Sequence, residues 1–270
     1  MQLFVSQHNI GLWAANYIKT QINTFAPTEN RPFVIGLPTG GTVVEMYAFL
    51  CKMCKKGELD FSSVITFNMD EYAGLPPTDP QSYHFYMKHN LFDGVNLKPE
   101  NTHILDGMAP DLVQECDNYE RAIKQAGGIR LFLGGVGQNG HLAFNEPGSA
   151  FTSRTRPVTL EPSTRRANSR FFGNDESRVP TQALSVGIGT VLDANELLFL
   201  ASGRQKAQAV ARLSLGEITP QWPITALKTH AHATLLVDEE AASCLTGHAL
   251  EQLQQQRVRY PQADVWKIAL

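Results

Sequence analysis

Residues 129–147 read IRLFLGGVGQNGHLAFNEP. The opening run Ile129–Leu133 is apolar and short, the pattern of a buried β-strand. Gly134, Gly135, Gly137 and Gly140 follow, freeing the backbone for tight turns and for close approach of main-chain N–H groups to a ligand. His141 and Glu146 then set an imidazole near a carboxylate. A strand end, exposed amides and an acid–base pair in one stretch point to an active site on an α/β scaffold. Gly135, Gly137 and Gly140 also satisfy G-x-G-x-x-G, but that fingerprint needs the last glycine to open a helix that holds pyrophosphate. Asn145-Glu146-Pro147-Gly148 is turn chemistry instead. A nicotinamide or flavin site is therefore not expected, although Glu161 lies at a ribose-binding spacing.

Outward from this stretch, strands and helices alternate. Ile10, Trp13, Tyr17, Ile18 and Ile22 recur at helical spacing. Strand-like runs follow at Phe33–Leu37, Val64–Met69, Glu196–Ala201 and Thr234–Asp238. A helix is expected from near Val43 to about Lys55, and others from about Arg204 and about Glu240. This alternation predicts one α/β domain over residues 1–270: a mostly parallel, doubly wound, Rossmann-like sheet with helices on both faces. Arg154–Val179, rich in Arg, Ser and Asn, reads as a mobile flap. In such sheets ligands bind beyond the carboxyl ends of the strands. The turn Thr39–Thr42, the acidic pair Asp70-Glu71, the Gly134–Glu146 loop and Lys206 all fall there.

Composition narrows the function. The 270 residues are 43% hydrophobic and 18% charged, with a net charge of −3. That balance is ordinary for a globular domain and gives no broad attraction to nucleic acid or anionic membrane. No apolar run reaches membrane-spanning length, and no basic-then-apolar signal opens the chain, so a cytoplasmic protein is expected. Cys51, Cys54, Cys116 and Cys244 are too scattered for a disulfide scaffold. Cys51-Lys52-Met53-Cys54 falls late in its expected helix, away from the N-terminal dipole that activates such pairs. His230 and His232 lack a third metal ligand at matching spacing, so no metal is expected.

The turns carry the chemistry. Thr39, Gly40, Gly41 and Thr42 resemble a phosphate cradle at a helix start, without the Gly-Lys-Ser/Thr of a nucleotide loop. Lys206 and Arg170 supply a point charge and a fork suited to the same anion. Asp70, closing a buried strand, is placed for a general base acting on a carbon acid. A helix cap is the plain alternative for it, as a solvated surface charge is for each cation.

Four segments together resemble the glucosamine-6-phosphate deaminases: Gly36–Thr42 (GLPTGGT), Phe67–Leu75 (FNMDEYAGL), Gly134–Pro147, and Ala167–Phe172 (ANSRFF) behind Ser153–Arg156 (SRTR). The similarity runs from about Arg31 to Asp238. It implies conversion of D-glucosamine 6-phosphate and water to D-fructose 6-phosphate and ammonia, without a cofactor. By this resemblance His141 opens the pyranose ring, Glu146 supports its charge, and Asp70 moves the C2 proton. Thr39–Thr42, Arg170 and Lys206 then bind the phosphate, and a homo-oligomer, a hexamer, is the implied assembly. Asn139 stands where the best-known members carry Asp; an amide orients an imidazole without adding charge. Ser149, Arg156 and Thr159 match an effector site for N-acetylglucosamine 6-phosphate, but Val158 replaces its lysine and Gln252 its tyrosine. The alternatives are a galactosamine-6-phosphate deaminase, a 6-phosphogluconolactonase, and a sugar-phosphate sensor with an idle catalytic set. Phe144–Pro147 and Asp70–Tyr72 favour deaminase over lactonase.

Overall fold

The computed structural model describes residues 1–270. The chain opens with β1 (Gln2–Ser6) and α1 (Ile10–Phe25), followed by β2 (Phe33–Leu37), α2 (Val44–Lys55), β3 (Val64–Asn68) and β4 (Asp70–Tyr72). Next come α3 (Tyr83–Asn90), β5 (Thr102–His103), α4 (Leu112–Gln125), β6 (Leu131–Gly135) and β7 (Arg156–Thr159). The remainder is α5 (Pro162–Asn168), β8 (Gln182–Ser185), α6 (Ile188–Leu192), β9 (Glu196–Ala201), α7 (Ala207–Ser214), β10 (Ala233–Asp238), α8 (Gly247–Arg259) and β11 (Val265–Ala269).

Eight strands form the central sheet in the order β11-β1-β10-β9-β6-β2-β3-β5. All neighbours are parallel except β11, which runs antiparallel to β1. The chain builds outward from β2 through β3 to β5, then returns to β6 and builds the other way through β9 and β10. This is the doubly wound order, and its switch point lies between β2 and β6. Those two strands pair only through Ile35↔Leu131 and Gly36↔Phe132, whereas β6 stays paired to β9 as far as Gly135↔Leu200. A crevice is therefore expected where β2 and β6 end.

Alternation of side chains along the strands supplies both cores. Phe67, Phe132, Phe199 and Leu235 pack on one face; Ile18, Ile35, Tyr47 and Leu131 pack on the other. Full burial of each such side chain stabilises by roughly 1.5–3 kcal/mol over exposure. Two strand glycines make room for the aromatic layer. A Cβ on Gly36 would lie 2.4 Å from the Phe132 ring, and one on Gly134 would lie 2.1 Å from that of Phe199.

Several expectations shift. The strand expected at Ile129–Leu133 lies at Leu131–Gly135, so Gly134 and Gly135 are extended strand, not turn. Helix does not begin at Glu240: Glu239–Cys244 is turn, and α8 starts at Gly247. The helix expected from Arg204 opens as a 3-10 turn over Arg204–Lys206 before α7. Asp70 does not close its strand. The chain leaves the central sheet at Met69, and Asp70 opens β4, whose partner is β8 in a separate antiparallel sheet of order β4-β8-β7. The segment expected as a flap is built of β7, α5 and two 3-10 turns. No helix is long and apolar enough to cross a membrane.

Candidate active site

Four neighbouring strands, β9-β6-β2-β3, bring their carboxyl ends to one edge, and each feeds one of the turns singled out from sequence. After β2, Gly40 takes φ +107°, which a side chain would strain, and a 3-10 turn at Gly41–Val43 leads into α2. The Tyr86 hydroxyl donates to the Gly40 carbonyl at 2.8 Å, and the Tyr47 hydroxyl donates to that of Pro38. After β9, Gly203 repeats the device with φ +85° ahead of the turn carrying Lys206.

Lys206 and Arg170 are neighbours, and neither has a carboxylate partner. Burial, with the Arg170 charge adding to it, holds the Lys206 ammonium below the ordinary lysine range. The Arg170 guanidinium lies 4.6 Å over the Phe171 ring, which orients it. Two cations without an acid partner are a pairing that suits an anionic ligand.

Asp70 sits where β3 gives way to β4 and is almost wholly buried. Burial first, and the adjacent Glu71 charge second, push its carboxyl up to about 8. The phenols of Tyr47, Tyr72, Tyr83 and Tyr119 are raised chiefly by burial, and the nearby Asp70 contributes to each. Glu71 is equally buried yet fully partnered. It accepts from the backbone N–H groups of Tyr72 (2.7 Å), Tyr83 (2.9 Å) and His84 (2.9 Å) and pairs with His84 Nδ1 at 2.8 Å. It thus caps the start of α3 and pins β4 there. One carboxylate of this pair is structural, and the other is left without a side-chain hydrogen bond.

The loop after β6 supplies the acid–base pair. No helix follows Gly140 before α5, which agrees with the absence of a dinucleotide fingerprint. Gly140 takes φ +80°, and a Cβ on Gly137 would lie 2.4 Å from the His141 ring, so only glycine leaves space for the imidazole. Asn145 clamps the loop: its amide donates to the carbonyls of Leu142 and Val186, both at 2.8 Å, and its oxygen accepts from Arg156 at 2.8 Å. His141 Nδ1 lies 3.6 Å from Glu146 Oε2, an ion-pair distance rather than a hydrogen bond, and is buried without a hydrogen-bond partner.

Asn139 donates to the same Glu146 oxygen at 2.7 Å and accepts from the His141 backbone N–H at 3.2 Å. It therefore orients the carboxylate and the histidine's main chain, not the imidazole as expected. Thr164, on α5, donates to Glu146 Oε1. Partial burial pushes the Glu146 carboxyl up, but His141, Thr164 and Asn139 outweigh it and hold the group at about 2.

The sequence matches the family of glucosamine-6-phosphate isomerases and 6-phosphogluconolactonases across residues 7–236. The chain belongs to this family. A glucosamine-6-phosphate deaminase from Porphyromonas gingivalis is 52% identical over 232 residues, covering 86% of this chain and 88% of its own. One from Yersinia enterocolitica is 53% identical, with coverages of 85% and 86%. Among solved structures, a monomeric glucosamine-6-phosphate deaminase superposes with a TM-score of 0.85 at 41% identity, covering 90% of this chain and all of its own. A 6-phosphogluconolactonase from Trypanosoma cruzi reaches 0.69 at 18% identity, with coverages of 91% and 97%, and shares the fold.

Within this family fold, the remaining sequence features have structural roles. Cys51 and Cys54 are free thiols late in α2, and burial raises the Cys51 thiol. His230 Nε2 meets the Ala194 carbonyl and its Nδ1 accepts from the His232 N–H, joining a loop to β10. No three His, Cys, Asp or Glu side chains are grouped to hold a metal ion. Of the effector positions, Arg156 is engaged by Asn145, Thr159 ends β7, and Ser149 lies in the turn after Pro147. Val158 packs against the small apolar cluster of Tyr72, Phe144 and Phe172, and Gln252 bonds both backbone groups of Ala269 on β11.

Proposed function

We propose that this chain is an isomerising deaminase that converts D-glucosamine 6-phosphate and water to D-fructose 6-phosphate and ammonia. The observation that carries this reading is the shared edge: the desolvated Asp70, the His141–Glu146 pair and Lys206 all follow neighbouring strands of the central sheet, and Arg170, from the segment after β7, adds its charge beside Lys206. The Thr39–Thr42 turn, Arg170 and Lys206 hold the phosphate. His141 transfers the proton that opens the ring, with Glu146 as its counter-charge and Asn139 steadying Glu146. Asp70 takes the proton from C2 and returns it to C1. The enolic amine so formed becomes a C2 imine, which water hydrolyses to the ketose and ammonia. Relatives called glucosamine-6-phosphate deaminases at about half identity support the substrate. A sensor with an idle site would gain nothing from leaving Asp70 buried and unpartnered.

The deciding experiment is an ammonia-release assay with the purified chain. Release is expected from glucosamine 6-phosphate without added metal. Faster release from galactosamine 6-phosphate, which differs at the C4 hydroxyl, would reassign the substrate. Hydrolysis of 6-phosphogluconolactone without ammonia release would overturn the reading.

We place the reaction in the cytoplasm, since a phosphorylated sugar does not cross membranes unaided. We further propose a homo-oligomer, a hexamer by family resemblance; light scattering distinguishes it from a monomer, the state of one solved relative. Residues 154–179 act as a flap over the site in this reading. The Ser149, Arg156 and Thr159 set is proposed as the remnant of an effector site that no longer responds. Val158 offers no bond to a phosphate and Arg156 already serves Asn145. N-acetylglucosamine 6-phosphate is accordingly expected to change kcat/KM by less than about twofold, against the roughly 5–150-fold range of allosteric couplings. Initial-rate curves with and without it test this, and sigmoidal kinetics turned hyperbolic by the effector would contradict it.

A further inference from the structure

Thr164 is 7% exposed and is the one residue of residues 154–179 bonded to the acid–base pair. Its hydroxyl takes Glu146 Oε1 while Asn139 takes Oε2, so both carboxylate oxygens have a donor before any ligand arrives. His141 Nδ1 stays 3.6 Å away with its hydrogen-bonding capacity unused. α5 and the 3-10 turn that follows it, Ser169–Phe172, touch Tyr72 of β4 twice more. Asn168 Nδ2 donates to the Tyr72 hydroxyl at 2.9 Å, and the Phe172 ring meets Tyr72 edge-on with centroids 5.7 Å apart. Between those contacts lies Arg170, the cation beside Lys206.

We infer that Thr164 is a positioning residue that ties the seating of α5 over the site to the aim of Glu146 at His141. The inference rests on the deaminase reading and extends it. With α5 seated, Thr164 fixes one oxygen, and the rotation left to the carboxylate carries the other along the Asn139–His141 direction. With α5 lifted, Oε1 loses its donor and Glu146 turns to solvent, while Arg170 leaves the phosphate site. Ring opening is thereby confined to the state in which the phosphate cations are assembled. Lifting of α5 is opposed by the Thr164 and Asn168 bonds and by the Phe172 contact, of which only the first reaches the acid–base pair.

The test compares Thr164→Val, which keeps the shape and loses the donor, with Thr164→Ser, which keeps the donor. A hydrogen bond to a charged group is typically worth enough to change an equilibrium about tenfold or more. Thr164→Val is expected to lower kcat on glucosamine 6-phosphate by about tenfold, with a smaller change in KM. Trypsin cleavage at Arg165, Arg166, Arg170 and Arg178 is expected to quicken in the same variant. Thr164→Ser should return both toward wild type. Because coupling is reciprocal, Glu146→Ala should quicken the same cleavage from the other side of the bond. Val and Ser variants that behave alike, or a Glu146→Ala protein cut at the wild-type rate, would overturn the inference. If the wild-type chain released no ammonia, the functional reading would fail, and the cleavage rates would still report the latch.

Discussion

Asp70→Asn is expected to abolish ammonia release while making the protein more stable at alkaline pH. The carboxylate is the one acid at this edge that is desolvated and free of hydrogen bonds, and a base removed from C–H abstraction typically costs about 10²–10⁴-fold. The stability effect has the opposite sign. Below the ordinary aspartate value both folded and unfolded states hold the proton, and burial costs little. As pH rises toward about 8, the unfolded chain ionises while the folded one keeps its proton, so the wild type loses stability across that window. At about 1.4 kcal/mol per pKa unit, a shift of this size amounts to roughly 6 kcal/mol above the folded value. The asparagine variant does not ionise and escapes the loss. Thermal unfolding at pH 5 and pH 8.5 should therefore show its advantage widening with pH. Deuterium exchange at C2 surviving in the variant would remove Asp70 from the proton-transfer step.

The contrast between Asp70 and Glu71 shows where the sequence is legible. Both carboxylates stand in one short motif, and nothing local separates the base from the cap. The difference lies in α3, whose first N–H groups close on Glu71 and leave Asp70 bare. The apolar runs Phe33–Leu37 and Glu196–Ala201 announce β2 and β9 to the residue, because strands buried on both faces read as continuous hydrophobic segments. The two-residue β5 and the edge strand β7 carry no such run, and their partners, not their own pattern, make them strands; β11 shows only a short alternation of buried Trp266 and Ile268 with exposed Lys267 and Ala269.

Thr164 and Asn168 were similarly out of reach. They are ordinary polar residues in an Arg-rich segment, and their meaning comes from α5 folding back onto Glu146 and Tyr72. The glycine loop is legible in its chemistry and only in part in its mechanics. Of its four glycines, only Gly140 needs positive φ; Gly134 makes way for Phe199 and Gly137 for His141. Packing across the sheet dictates the first of these choices and packing within the loop the second, and a sequence does not display packing.

Removing both cations at the phosphate turn is expected to weaken every 6-phosphorylated sugar alike. Charge-assisted bonds contribute about 1.5–3 kcal/mol each, so the Lys206→Ala, Arg170→Ala double variant should bind glucosamine 6-phosphate and fructose 6-phosphate about 10²–10⁴-fold more weakly. Preference for an amino over a hydroxy sugar should not change, because the proposed reading has these groups contact the phosphate and not the amino group. Lys206 adds a pH signature. Burial and the neighbouring Arg170 lower its pKa in the free protein, so it loses its charge at a lower pH than an ordinary lysine. A bound phosphate favours the ammonium and restores the proton. Wild-type affinity should therefore fall with rising alkaline pH, with proton uptake on binding, and both effects should vanish in Lys206→Ala. Calorimetric titration in two buffers of different ionisation enthalpy measures that uptake directly. A variant with changed amino-sugar preference and unchanged phosphate affinity would place Lys206 and Arg170 elsewhere in the chemistry.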